Sequence, residues 1–129
     1  MTVSSSGQAL RVLVVEDDEA TSAFICEALA DVGYQVVNAS NGSHALARLD
    51  VDTPDLVLLD LHMPVLDGWG FMAALAEQPV RPPVVVMSAG GGIAARTAGE
   101  LGAAGHIEKP FAISALIAVV DHCALPSMG

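Results

Sequence analysis

Leu10-Arg11-Val12-Leu13-Val14-Val15 runs directly into Glu16-Asp17-Asp18-Glu19. An apolar, β-branched run that does not alternate with polar residues reads as a strand covered on both faces, and the four acids mark its abrupt end. A helical pattern follows, with Ile25, Ala28, Leu29 and Val32 at i, i+3, i+4 and i+7, and Gly33 stands where a left-handed residue would stop the helix. The unit is strand, acidic loop, helix.

The same alternation continues outward. Tyr34 to Val37 forms a second short strand, and Asn41-Gly42 turns into a helix capped by Ser43, with Ala45, Leu46 and Leu49 on its inner face and Asp50 to Pro54 closing it. Leu56-Val57-Leu58-Leu59 is another unbroken run ending at Asp60. Met63-Pro64 and Asp67-Gly68 then mark a loop before a helix with Phe71, Ala74 and Leu75. Pro82-Pro83 introduces Val84-Val85-Val86-Met87, which ends at Ser88. A Gly90-Gly91-Gly92 segment, read as a mobile hinge, leads to a weaker helix from about Ile93 to Leu101, and a short strand follows at His106-Ile107. Ile113, Leu116, Ile117 and Val120 stripe a last helix. Strands buried on both faces and alternating with helices predict an α/β fold, a (βα)5 doubly wound parallel sheet of five strands over residues 10–124, with short tails at 1–9 and 125–129.

The chain has 129 residues, enough for one domain of ordinary size. Apolar residues make up 53% and charged ones 16%, so the core is expected to be built from Val, Leu, Ile and Ala, and disorder is excluded as the main state. Fifteen acids against five bases leave a formal charge of −10, which repels phosphate backbones and anionic headgroups; neither nucleic acid nor membrane is expected as a partner. No apolar stretch approaches the roughly 18 residues of a bilayer span, and the N-terminus lacks a basic and apolar leader, so a cytoplasmic location is expected. Cys26 and Cys123 have no metal or disulfide spacing and read as two buried, reduced thiols. Among the bases, Arg11, Arg48, Arg81 and Arg96 leave Lys109 as the only lysine.

In open parallel sheets, ligands sit beyond the carboxyl ends of the strands, near the switch in strand order. Those ends carry Glu16 and Asp17, Asp60, Ser88 and Lys109. Three converging carboxylates repel one another, and a hard divalent cation relieves this; Mg²⁺, which uses one or two carboxylates plus phosphate oxygens, suits the count. Lysine, hydroxyl and cation together would hold a transferring phosphoryl group and leave Asp60 as the nucleophile. Asp18 and Asp67 read as turn formers, and His44 and His122 as surface residues.

Four stretches carry a resemblance: Val12 to Asp18, Asp55 to Gly68, Pro83 to Ala89, and Gly102 to Phe111 with its Lys109-Pro110. In this order, at these strand ends, the sequence resembles the receiver domain of two-component response regulators, and is similar to the single-domain chemotaxis regulators. The resemblance implies a flavodoxin-like receiver fold and a signalling module rather than an enzyme, one that catalyses only its own phosphoryl transfer and dephosphorylation. It implies that Asp60 accepts phosphate from a sensor histidine kinase or a histidine phosphotransfer protein. It further implies that Glu16 and Asp17 hold Mg²⁺, with Asp17, Asp60 and the backbone carbonyl of His62 as direct ligands. Ser88, Ala89 and Lys109 would bind the phosphoryl group, the Lys109-Pro110 bond would be cis, and the switch positions would be Ser88 and His106. The output is expected to pass to a downstream effector protein through the fourth and fifth helices and fifth strand, from a monomer or weak homodimer.

Two positions depart from the family's common pattern. His106 stands where Tyr or Phe is usual, which opens a pH sensitivity, and His62 lies where side-chain identity is expected to influence dephosphorylation. His62 also replaces the second acid of the Asp-x-Asp signature of aspartyl-phosphate phosphatases, the main competing class. A flavodoxin-like FMN carrier would need a Ser/Thr-rich phosphate loop, which this chain lacks.

Overall fold

The computed structural model describes residues 9–51, 53–61, 68–79, 81–89 and 93–124. Five strands and five helices alternate along them: β1 (Arg11–Val15), α1 (Glu19–Asp31), β2 (Gln35–Ala39), α2 (Gly42–Val51), β3 (Leu56–Asp60), α3 (Gly68–Leu75), β4 (Val84–Ala89), α4 (Ile93–Leu101), β5 (Gly105–Lys109) and α5 (Ile113–Ala124). The strands form one sheet in the order β2-β1-β3-β4-β5, and all four pairings are parallel. This is the doubly wound (βα)5 sheet expected from the alternation.

The continuous apolar runs divide by residue parity. Val12, Val14, Leu56, Leu58, Val85 and Met87 pack with Ile25, Leu29, Leu116 and Val120 under α1 and α5. Leu13, Val15, Val57, Leu59, Val84 and Val86 pack with Ala45, Phe71 and Ala98 under α2, α3 and α4. Successive strand side chains point to opposite faces, so a strand covered on both sides needs apolar residues at every position. All five residues of β3 are buried, which places the central strand between the two half-cores.

Element ends follow local chemistry, and here several expectations change. Gly33 has φ 104°, and its amide donates to the Ala30 carbonyl at 3.0 Å, closing α1 as the sequence suggests. β2 begins one residue later than expected and extends to Ala39. Tyr34 is buried before the strand, with its hydroxyl donating to Asp121 of α5. α2 is capped by Asn41 instead of Ser43. Asn41 Oδ1 accepts the His44 amide at 2.8 Å and its carbonyl accepts the Ala45 amide at 3.0 Å, so Ser43 already lies inside the first turn. β5 is longer than His106-Ile107 and takes in Lys109 as its last residue. Cys26 and Cys123 are free thiols, as expected, but only half-buried. Of the expected tails at 1–9 and 125–129 only Ala9 is described; the rest of both, the Gly90-Gly91-Gly92 hinge, Asp67 and the Met63-Pro64 loop lie outside the described residues.

Candidate functional site

The sheet order reverses between β1 and β3, since β2 lies on one side of β1 and the rest of the sheet on the other. Glu16 and Asp17 follow β1 directly and Asp60 ends β3, so the crevice at the switch point is walled by carboxylates. The Glu16 amide donates to the Ala39 carbonyl at 3.0 Å, extending the ladder by one residue, and its side chain turns inward to 2% exposure. Asp17 is exposed and Asp60 is 5% exposed. One oxygen from each of the three lies within 4.8 Å of the others. These are the hard oxygens that Mg²⁺ takes, and the three carboxylates would hold such an ion between them.

Lys109 supplies the opposing charge from β5. Its Nζ lies 2.6 Å from Glu16 Oε1 and 3.3 Å from Asp60 Oδ2. The other Glu16 oxygen accepts the Asp18 amide at 3.3 Å, so Glu16 is gripped at both ends. Ser88, 1% exposed, stands near the end of β4 with Glu108 beside it in register. The Lys109-Pro110 peptide is cis, as the sequence resemblance implies. The structure thus brings Glu16, Asp17, Asp60 and Lys109 together. His106 sits on β5 opposite Val86 with its side chain exposed, and His44 and His122 are exposed as expected. His62 and the side chain of Ala89 lie outside the described residues.

One lysine faces two buried acids, and the more enclosed one, Glu16, is the one that gives up its negative charge and holds a proton more readily. Burial lifts the Glu16 pKa from 4.5 to about 7; the Lys109 hydrogen bond pulls it down, while Asp60 pushes it up. Burial works against the Lys109 ammonium, but the Glu16 hydrogen bond and the charges of Asp60 and Glu16 together outweigh it and hold its pKa above the ordinary value. A carboxyl with a raised folded pKa binds more protons folded than unfolded between 4.5 and about 7, so its contribution to stability falls as pH rises through that window. Urea midpoints of the metal-free protein should therefore carry a downward contribution from pH 4.5 to 7 that Glu16→Gln removes. An identical pH slope in the variant would contradict this. The Asp18 carboxyl is held below its ordinary 3.8 by hydrogen bonds from Thr21, so its contribution is lost only under stronger acid and does not overlap.

Sequence reasoning missed the role of Asp18, taken there as a turn former. It is the N-cap of α1, with Oδ2 accepting the Thr21 amide at 2.9 Å and the Thr21 hydroxyl at 2.6 Å. The signal was present in an Asp followed three residues later by Thr, ahead of an apolar periodic helix.

Comparison with known proteins agrees with this fold. The family model for the response regulator receiver domain matches residues 12–121. The transcriptional regulatory protein PrrA of Mycobacterium bovis is 40% identical over 111 residues, covering 85% of this chain and 48% of the relative. The chain spans about half the length of the curated relatives it matches. Among solved structures, the receiver domain of NtrX from Brucella abortus superposes with a TM-score of 0.81 at 33% identity, covering 88% of this chain and 97% of that one. The chemotaxis response regulator CheY4 of Vibrio cholerae superposes with a TM-score of 0.83 at 26% identity, over 90% and 99% of the two chains. A five-stranded parallel sheet in this order, three acids and one lysine at its switch point, and a family match across nearly the whole domain place the chain in the response regulator receiver domain family of two-component systems.

Proposed function

We propose that Asp60 is the phosphoacceptor of a phosphorelay, and that Glu16, Asp17 and Asp60, with the backbone carbonyl of His62, hold Mg²⁺ during transfer. The observation that carries this reading is the meeting of three carboxylates with the chain's only lysine at one crevice. Receiver domains bind Mg²⁺ at an acidic pocket, and this cluster of hard oxygen donors fits that ion by its chemistry. When bound, the ion supplies positive charge to the phosphoryl oxygens and lowers the repulsion among the acids.

This chain's residues do the rest. Asp60 attacks the phosphorus of a phosphohistidine on a histidine kinase or phosphotransfer protein; the new P–O bond forms as the P–N bond breaks, and the electron pair stays on the departing imidazole nitrogen, which takes a proton. Lys109 already lies within 3.3 Å of Asp60 and meets the incoming charge without a large rearrangement. Ser88 and Ala89 line the phosphoryl position, Ser88 turning its hydroxyl toward it. Ser88 and His106 form the switch that carries the phosphorylated state to the surface of α4, β5 and α5, where a downstream effector docks. The module works in solution on protein partners; among the described residues, no helix is long and apolar enough to cross a membrane.

Incubation with a small phosphodonor in MgCl₂ should yield a protein 80 Da heavier, about the mass of one phosphoryl group added to one carboxylate. EDTA in excess should abolish the adduct. Equal labelling with and without chelator would overturn the metal-dependent reading.

A further inference from the structure

We infer that Asp18 is a positioning residue for the metal site, acting through the α1 N-terminus; this rests on the Mg²⁺-dependent reading above. Asp18 is engaged through its carboxylate, its carbonyl and its amide. Its carboxylate caps α1 through the Thr21 amide and hydroxyl, and its carbonyl accepts the Ser22 amide at 2.9 Å, the first helical bond. Its own amide, pointing the other way, donates to Glu16 Oε2 at 3.3 Å. One residue thus ties a rigid helix to the carboxylate that Lys109 holds from the far side at 2.6 Å.

Asp17 sits between these two anchored residues. Its side chain is exposed, so packing does not orient it, and its aim into the crevice depends on backbone geometry alone. Asp18 holds φ −79° and ψ 115°, the extended conformation of an N-cap, and that conformation turns its amide toward Glu16. Without the cap, the residue is free to leave this geometry, the grip on Glu16 loosens, and Asp17 explores directions that miss the ion. A ligand held by a preorganised second layer binds more tightly than one that must be ordered on binding. The structure therefore assigns Asp18 a share of the metal affinity although no role in contacting the metal.

The test compares two variants of equal charge. Asp18→Asn keeps a capping oxygen, Asp18→Ala removes it, and both delete the same negative charge, so their difference reads the cap. Titration calorimetry of the full chain with MgCl₂ at fixed ionic strength should place Asp18→Asn within about threefold of wild type. Asp18→Ala should bind about fivefold more weakly than Asp18→Asn, the factor that follows from an ordinary N-cap contribution reaching the site. Urea unfolding without metal supplies the second readout. If Asp18→Ala loses stability yet binds Mg²⁺ as Asp18→Asn does, the residue is structural only and the inference falls. If Asp18→Ala does not fold, Thr21→Val takes its place, since it removes the hydroxyl bond to Asp18 without changing charge. It should weaken Mg²⁺ binding about twofold, and unchanged affinity would overturn the inference. Wild type that does not bind Mg²⁺ overturns the functional reading together with this one, whereas binding that is equal in the Asn and Ala variants overturns this one alone.

Discussion

Asp60→Asn should abolish the phosphoryl adduct while leaving the protein folded. The amide keeps the shape of the carboxylate but lacks the anionic oxygen that attacks phosphorus, so phosphorylation should fall by ~10³-fold or more, about 4 kcal/mol of barrier. The fold should survive because Asp60 is one of two acids competing for Lys109, and it raises the pKa of the other. Deleting its charge lets Lys109 serve Glu16 alone, so the metal-free variant at pH 8 should be at least as stable as wild type, by up to about 1 kcal/mol. Intact-mass analysis after treatment with a phosphodonor and MgCl₂, or with beryllofluoride, reads the first effect, and urea unfolding reads the second. A normal adduct in the variant would remove Asp60 as the acceptor.

Lys109→Met should damage both phosphoryl transfer and stability, with opposite pH signatures from the Asp60 variant. Losing the one ammonium at the site leaves the developing phosphoryl charge without its fixed partner, and transfer should slow by about 10²-fold, near 3 kcal/mol. The methionine preserves most of the apolar stem, so the stability change reports charge. With no lysine to pull it down, the Glu16 pKa should rise further, and Glu16 and Asp60 must then ionise side by side above neutrality. Lys109 is 30% exposed, which tempers the penalty to about 2 kcal/mol at pH 8, and the loss should shrink toward pH 5, where Glu16 carries a proton. Lys109→Arg should not restore transfer, because a planar guanidinium does not occupy the place of a compact ammonium. Equal destabilisation of Lys109→Met at pH 5 and pH 8 would show that the lysine acts through its packing.

The unbroken runs Leu56 to Leu59 and Val84 to Met87 were legible as central strands because burial on both faces leaves no position for a polar residue. β2 was harder. It lies at the sheet edge and is largely exposed, so its pattern carries little apolar signal and its bounds shifted. The cap of α2 moved from Ser43 to Asn41 because both residue types cap equally well and only the backbone path selects between them.

The amino-acid order alone carried the architecture and a set of candidate site residues, since the rule that ligands gather at strand ends selected Glu16, Asp17, Asp60, Ser88 and Lys109 from the chain. Hydrophobic periodicity is a local property, and local properties are written in sequence. Which acid takes the lysine is a matter of through-space distance, and the folded chain settled it: Nζ is 2.6 Å from Glu16 and 3.3 Å from Asp60. The raised pKa of Glu16 and the grip of Asp18 on its carboxylate likewise arise only when β1, β3, β5 and the start of α1 converge, because burial and Coulomb energy depend on separations that no spacing along the chain encodes.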